Sequence, residues 1–235
     1  MGELKSINRR TFIKRSAFGA LSIPLISTNP LLSFPSKSIK LTILHTNDMH
    51  SHIDPFSAND SKYPGMGGMR KMASIVEKIR KEEDHVLLLD AGDIFQGTPY
   101  YNKYKGEVEL KIMSEMGYAA STMGNHDFDN GINGFNDVLP YANFPFLCSN
   151  YDFSNTLLNG KTKKFITKTI GELKVGLFGI GIKLNGLVEK RLYKETQYYE
   201  PIEIANHYAE ILKNEHNCDI VICLSHLGYD YDSNK

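Results

Sequence analysis

The sequence predicts an α/β fold with mixed sheets, and three observations carry that prediction. From Ile39 onward, short apolar runs of strand length alternate with segments whose apolar residues recur at helical spacing. Two such runs, Lys163 to Thr169 and Leu173 to Ile180, are separated by Gly171 and read as an antiparallel hairpin, which a purely parallel sheet does not contain. Four polar motifs stand at or just past strand ends, along the edge of an open α/β sheet where ligands bind: Asp48-Met49-His50, Gly92-Asp93, Gly124-Asn125-His126-Asp127 and Ser225-His226.

The segment before Ile39 reads as an address. Asn8-Arg9-Arg10-Thr11-Phe12-Ile13-Lys14 resembles the twin-arginine export signal, and the apolar run from Ser16 to Ile26 follows as its hydrophobic region. That run is too short for a membrane span and Pro24 interrupts it. A general secretory signal and an uncleaved anchor remain the alternatives. Residues 1–38 are therefore taken as a signal peptide and linker, and residues 39–235 as the folded domain, exported to the periplasm or cell envelope with the twin-arginine machinery as a partner. A leader ending near Ser36 removes Lys5, Arg9, Arg10, Lys14, Arg15 and Glu3, turning 27 basic against 27 acidic residues into 22 against 26. That mildly acidic balance gives no indication of nucleic-acid binding.

Within the domain, Ile39 to Leu44 reads as the first strand. Met69, Met72, Ala73, Val76 and Ile79 follow at helical spacing up to the charged run Arg80 to Asp84. Val86 to Leu89 is a buried strand ending in Asp90-Ala91-Gly92-Asp93, and Val108, Ile112, Met113 and Met116 form the apolar face of a second helix that stops at Gly117. A strand near Ala119 to Met123, a short helix before Pro140 and a strand near Phe146 to Cys148 come next. After the hairpin, a helix presenting Ile204, Tyr208, Ile211 and Leu212 leads into the strand Ile220 to Leu224. With 41% hydrophobic residues over 235 positions, the chain can bury a full core. Its cysteines, Cys148, Cys218 and Cys223, cannot all pair within one chain, and Cys218 and Cys223 flank or sit in an apolar strand, so no disulfide framework is implied.

The four motifs carry the chemistry. Asp48 and His50 are two residues apart, so on an extended stretch both side chains leave one face and can grip one cation. Asp93 follows a glycine that lets the backbone turn close to a ligand. Asn125 offers a neutral carbonyl oxygen that completes a metal shell without adding charge, while His126 beside it is placed to act on a substrate. His226 ends an apolar strand, where a satisfied core histidine is the ordinary reading when it is taken alone. Asp, Asn and His are ligands that hard or borderline divalent cations accept, so together the motifs read as a two-metal phosphoesterase site.

From Ile43-Leu44-His45-Thr46-Asn47-Asp48-Met49-His50, through Asp90 to Pro99 and Met123-Gly124-Asn125-His126-Asp127-Phe128-Asp129, to Ser225-His226-Leu227-Gly228, the chain resembles the N-terminal catalytic domain of the 5'-nucleotidase-like metallophosphoesterases. The resemblance implies a four-layer α-β-β-α sandwich with two mixed sheets. It implies two divalent ions, with manganese, zinc, iron and calcium all admissible. Asp48 and His50 would bind the first, Asn125 and His226 the second, and Asp93 would bridge them. His126 would be the catalytic histidine, with Asn125 and His126 meeting the substrate and Asp129 orienting His126. His45, His52, His85, His207 and His216 match no ligand position.

The implied reaction is hydrolysis of nucleotide phosphate esters, of the 5'-nucleotidase or 2',3'-cyclic-nucleotide phosphodiesterase type, by in-line attack of an acidified water. The family pattern continues to a further Gly-His-x-His strand end and a C-terminal substrate domain. Their absence before Lys235 leads to the expectation of a truncated chain, with a separate chain as one carrier of that domain. Two alternatives stand beside this reading: a thiosulfohydrolase of the same superfamily, and a catalytically impaired fragment completed by another chain.

Overall fold

The structure is a computed structural model and describes residues 38–228. The segment read as an export signal and nearly all of the segment read as a linker lie outside the described residues, as do residues 229–235. Among the described residues, no helix is long and apolar enough to cross a membrane.

The first sheet is built on β1 (Thr42–Thr46) and β2 (Val86–Asp90), which pair in parallel with Thr42 opposite Val86 and Thr46 opposite Asp90. Parallel bridges from Leu89 to Ala120 and from Ser121 to Phe146 carry the sheet onward. The second sheet has the order β4 (Phe165–Ile170), β5 (Leu173–Gly181), β7 (Ile220–His226). Here β4 runs antiparallel and β7 parallel to β5, so the mixing of directions lies in this sheet. A two-residue pair, β3 (Tyr151–Asp152) with β6 (Gln197–Tyr198), stands apart.

Strand periodicity sets the layers. In β2, Leu87 and Leu89 face the second sheet and pack with Ala120, Leu147, Val175, Leu177 and Leu224, while Leu88 faces the opposite way. On that outer side lie α1 (Met69–Glu82), α3 (Glu107–Glu115) and α4 (Gly131–Val138), which contribute Met69, Val76, Leu110, Met113, Ile132 and Phe135. In β5, Val175 and Leu177 point between the sheets, whereas Phe178 and Ile180 meet Leu212 and the inner residues of α6 (Pro201–Glu210). The order is thus helix, sheet, sheet, helix. Each fully buried leucine of this kind stabilises the fold by about 1.5–3 kcal/mol.

Two local readings shift. β1 spans Thr42–Thr46 where the apolar run suggested Ile39 to Leu44, because Thr46 pairs with Asp90 and donates from Oγ1 to its Oδ2 at 2.7 Å. The second helix runs where the sequence predicts it, as α3, but its inward face differs; a separate short helix, α2 (Pro99–Tyr104), precedes it and ends in a break at Lys105 and Gly106, both left-handed. Glu109, Leu110 and Met113 are turned inward, and Val108 and Ile112 are half-buried. Arg80, in the last turn of α1, caps the far end of α3 through the Met116 and Gly117 carbonyls, at 2.5 and 2.9 Å. One further single turn, α5 (Lys190–Tyr193), precedes β6.

Candidate metal centre

β1 and β2 run parallel, and His226 at the end of β7 reaches Ala91 just past the end of β2, so Asp48, Asp93 and His226 come together. One ligand atom from each lies within 4.8 Å of the others. A cleft of about 510 Å³ opens beside them, lined among others by His45, Asp48, Ala91, Ser225 and His226.

Asp93 is the hub. Its Oδ2 lies 3.2 Å from His226 Nε2 and 3.8 Å from His50 Nε2, and its Oδ1 accepts the His126 N–H at 2.8 Å. Burial works against its charge, but the His226 ring and the His126 N–H hold the carboxyl below its ordinary range. Gly124 leaves room for this carboxylate, since a Cβ there would fall 2.1 Å from Asp93 Oδ1.

His226 faces Asp93 with a defined nitrogen. Its Nδ1 donates to the Ala91 carbonyl at 2.8 Å, which leaves Nε2 toward the carboxylate. Burial opposes a charged ring, yet Asp93 outweighs it and pushes His226 up to about 9. Two carboxylates and an imidazole held this way are a donor set that fits a divalent ion.

His50 stands at the same edge, its Nε2 3.8 Å from Asp48 Oδ1. The backbone carrying it is not extended, as the two-residue spacing suggested. Asp48, His50 and Ser51 all have positive φ (50°, 45° and 59°), so the segment is a left-handed turn. It is held by N–H donation from Asp48, His50 and Ser51 to the carbonyls of Gly92, Asp93 and Ile94. Docking onto the Asp93 loop, rather than strand alternation, brings Asp48 and His50 together.

His126 sits beside this cluster and is set differently. Its Nδ1 lies 2.9 Å from Asp129 Oδ2, and its ring meets the His50 ring edge-on at 5.1 Å. Burial lowers its pKa, but Asp129 prevails and the net direction is upward. Asn125 stands half-buried between Gly124 and His126, at the start of a 3-10 turn covering His126–Phe128. Of the remaining histidines, His52 packs at a tilt against Phe56, while His216 meets Phe165 and His207 meets Tyr208 edge-on.

Three acids that build the site were assigned no role from the sequence. Asp127 accepts four backbone N–H bonds, from Asp93 and Gly124 on Oδ2 and from Ile94 and Phe95 on Oδ1, at 2.9 to 3.3 Å. It pins the Asp93 loop to the Gly124 loop. Burial, and then the Asp93 charge, push it up to about 7, while the four donors occupy the lone pairs of a carboxylate. Asp90, at the end of β2, accepts from Thr46, Gly92 and Ser121, and burial raises it to about 6. Glu109, on α3, accepts from the Ser51 hydroxyl. The one signal in the sequence was position, since Asp127 lies inside a singled-out motif and Asp90 beside one.

Comparison with known proteins bears on what such a site does. The model of the family described as calcineurin-like phosphoesterase matches residues 41–235. The 5'-nucleotidase of Bos taurus is 34% identical over 220 residues, covering 90% of this chain and 38% of that protein. The snake venom 5'-nucleotidase of Crotalus adamanteus is 35% identical over 208 residues, covering 86% of this chain and 35% of that one. Among solved structures, the 5'-nucleotidase precursor from Thermus thermophilus matches with a TM-score of 0.73 at 30% identity, covering 80% of this chain and 37% of that one. The chain thus spans little more than a third of the length of these relatives.

Proposed function

The chain belongs to the calcineurin-like phosphoesterase family, and from that premise we propose that it hydrolyses nucleotide phosphate esters, as a 5'-nucleotidase or a 2',3'-cyclic-nucleotide phosphodiesterase, with two divalent ions. The observation that carries this reading is the convergence of Asp48, His50 and His226 on Asp93, with His126 set beside them on Asp129.

In this proposal Asp48 and His50 hold one ion, Asn125 and His226 the other, and Asp93 both. When bound, the ions supply positive charge against the phosphoryl oxygens and an acidified water as nucleophile. Asp129 keeps the His126 proton on Nδ1 in the resting ring and favours its doubly protonated form. His126 then presents Nε2 to the ester, where it delivers a proton to the departing oxygen, a contribution of roughly a hundredfold to ten-thousandfold for a well-placed acid. Ala91, by accepting from His226 Nδ1, fixes which nitrogen of that ring is left as a ligand. Asp127 holds the two ligand loops in register and touches neither ions nor ester.

The test is phosphate release from 5'-AMP and ring opening of 2',3'-cyclic AMP with Mn²⁺ supplied and then chelated. Turnover of either that disappears with chelation is the expected result. Hydrolysis of an organic thiosulfonate with neither nucleotide cleaved would replace this reading by the thiosulfohydrolase one. We also propose export by the twin-arginine route, from Arg9 and Arg10. Changing both to lysine preserves charge and should block translocation, so normal periplasmic accumulation of that variant would remove the assignment.

A further inference from the structure

We propose that Glu109 is a positioning residue for the metal centre, anchoring through Ser51 the left-handed turn that carries Asp48 and His50. The inference rests on the reading of Asp48 and His50 as ligands. It goes beyond that reading in assigning a buried acid on α3, which touches no ligand, to their placement.

The turn needs an anchor. Asp48, His50 and Ser51 are non-glycine residues at positive φ, a conformation that persists only where the surroundings over-determine it. Backbone bonds to Gly92, Asp93 and Ile94 hold one side of it. On the other side, Ser51 is held by Thr98 and Glu109. Thr98 Oγ1 donates to the Ser51 carbonyl at 2.8 Å, and the Ser51 hydroxyl donates to Glu109 Oε1. Gly97 closes against the same turn, where a Cβ would fall 2.8 Å from the His50 carbonyl oxygen.

Stability alone does not select glutamate at this place. Ser51 and Glu109 are both fully buried, and Glu109 is followed by the core residues Leu110 and Met113 on the inward face of α3. Glu109 Oε2 is buried with no hydrogen-bond partner among the described residues. A half-satisfied carboxyl in such a place costs free energy that an apolar side chain would not. Burial raises the Glu109 carboxyl against the pull of the Ser51 hydroxyl. What the acid supplies, and a leucine could not, is an acceptor one residue beyond His50.

The experiment compares the 235-residue chain with Glu109→Leu, Glu109→Gln, Ser51→Ala and the Ser51→Ala/Glu109→Leu double variant. Leu177→Ala, in the core between the sheets, serves as a control for general destabilisation. Amide hydrogen exchange in metal-free protein reads the anchor directly. Glu109→Leu and Ser51→Ala should speed exchange at the His50 and Ser51 amides by about tenfold or more, with β5 amides unchanged. Mn²⁺ titration reads the consequence, and both variants should bind about tenfold to a hundredfold more weakly. The double variant should be no worse than Ser51→Ala alone, because Ser51→Ala already removes the hydroxyl that Glu109 accepts, together with its contact to Thr98 Oγ1 at 3.1 Å.

Glu109→Gln keeps a carbonyl oxygen for Ser51 and should recover most of both effects, while Leu177→Ala should lower Tm without altering Mn²⁺ affinity. Unchanged exchange at His50 and Ser51 in Glu109→Leu, or Mn²⁺ affinity equal to wild type with only Tm reduced, would overturn the proposal. A wild-type chain that binds no Mn²⁺ while the exchange effect stands would support the anchor and overturn the reading of Asp48 and His50 as ligands.

Discussion

Asp127 and Glu109 are both buried acids behind the same metal centre, and they are satisfied in opposite degrees. Asp127 fills its oxygens with four backbone N–H donors drawn from two loops, whereas Glu109 takes one hydroxyl and leaves Oε2 bare. The two halves of the site differ accordingly. The Asp93 half is cross-braced and nearly sealed, with the Asp93 side chain 4% exposed. The Asp48 half is a left-handed turn whose Asp48 side chain is 48% exposed. One half is sealed by protein donors, and the other presents its carboxylate to solvent.

The sharpest way to break that contrast is at the brace itself. Asp127→Ala removes the acceptor of four buried N–H groups, each costing about 1–3 kcal/mol when left unpaired. The expected loss is on the order of the whole stability of a domain, about 5–15 kcal/mol, so this variant should be largely unfolded by circular dichroism. A folded Asp127→Ala chain with native cooperativity would show that the loops are held by something else.

Ligand substitutions sharpen the contrast at intermediate size. Asp93→Asn lowers the charge at the hub and should empty both positions in elemental analysis, while Asp48→Asn should reduce only the share of metal held on the exposed half. Equal metal loss in the two variants would deny Asp93 its bridging place. Ion binding itself should act unevenly. At a Mn²⁺ concentration about a hundred times the Kd, the domain gains about 2.7 kcal/mol. Protection against hydrogen exchange should rise most at residues 48–51 and least at residues 124–127. The smallest effect is expected at Asp129→Asn, which leaves metal content unchanged and slows turnover by less than the roughly hundredfold floor for loss of the acid itself.

Much of this was legible in the sequence because polar residues that interrupt apolar runs are conspicuous. The apolar runs Val86 to Leu89 and Ile220 to Leu224 could be read directly as strands, which the structure extends to Asp90 and His226, and so could the hairpin around Gly171. Other features depended on partners far along the chain. Three of the four N–H groups that Asp127 accepts lie more than 30 residues earlier, and Glu109 acts on Ser51, 58 residues away, so neither role could be read from neighbouring residues. The turn at Asp48 was misread as extended because the spacing of Asp48 and His50 suits a strand. Asn47-Asp48, a pair that tolerates left-handed backbone, was the cue for the alternative. The inward face of α3 takes in Glu109 and Leu110 in place of Val108 and Ile112, and a buried glutamate is what apolar periodicity does not register.

The central claim is that Asp93 serves the ions and His126 serves the ester, although the His126 N–H bonds directly to the Asp93 carboxylate. The measurement that tests it most directly is bound metal by elemental analysis beside nucleotide turnover in His126→Asn. Metal content should equal that of wild type, with turnover lower by roughly two to four orders of magnitude. Loss of metal in step with turnover would make His126 a ligand and contradict the division of roles.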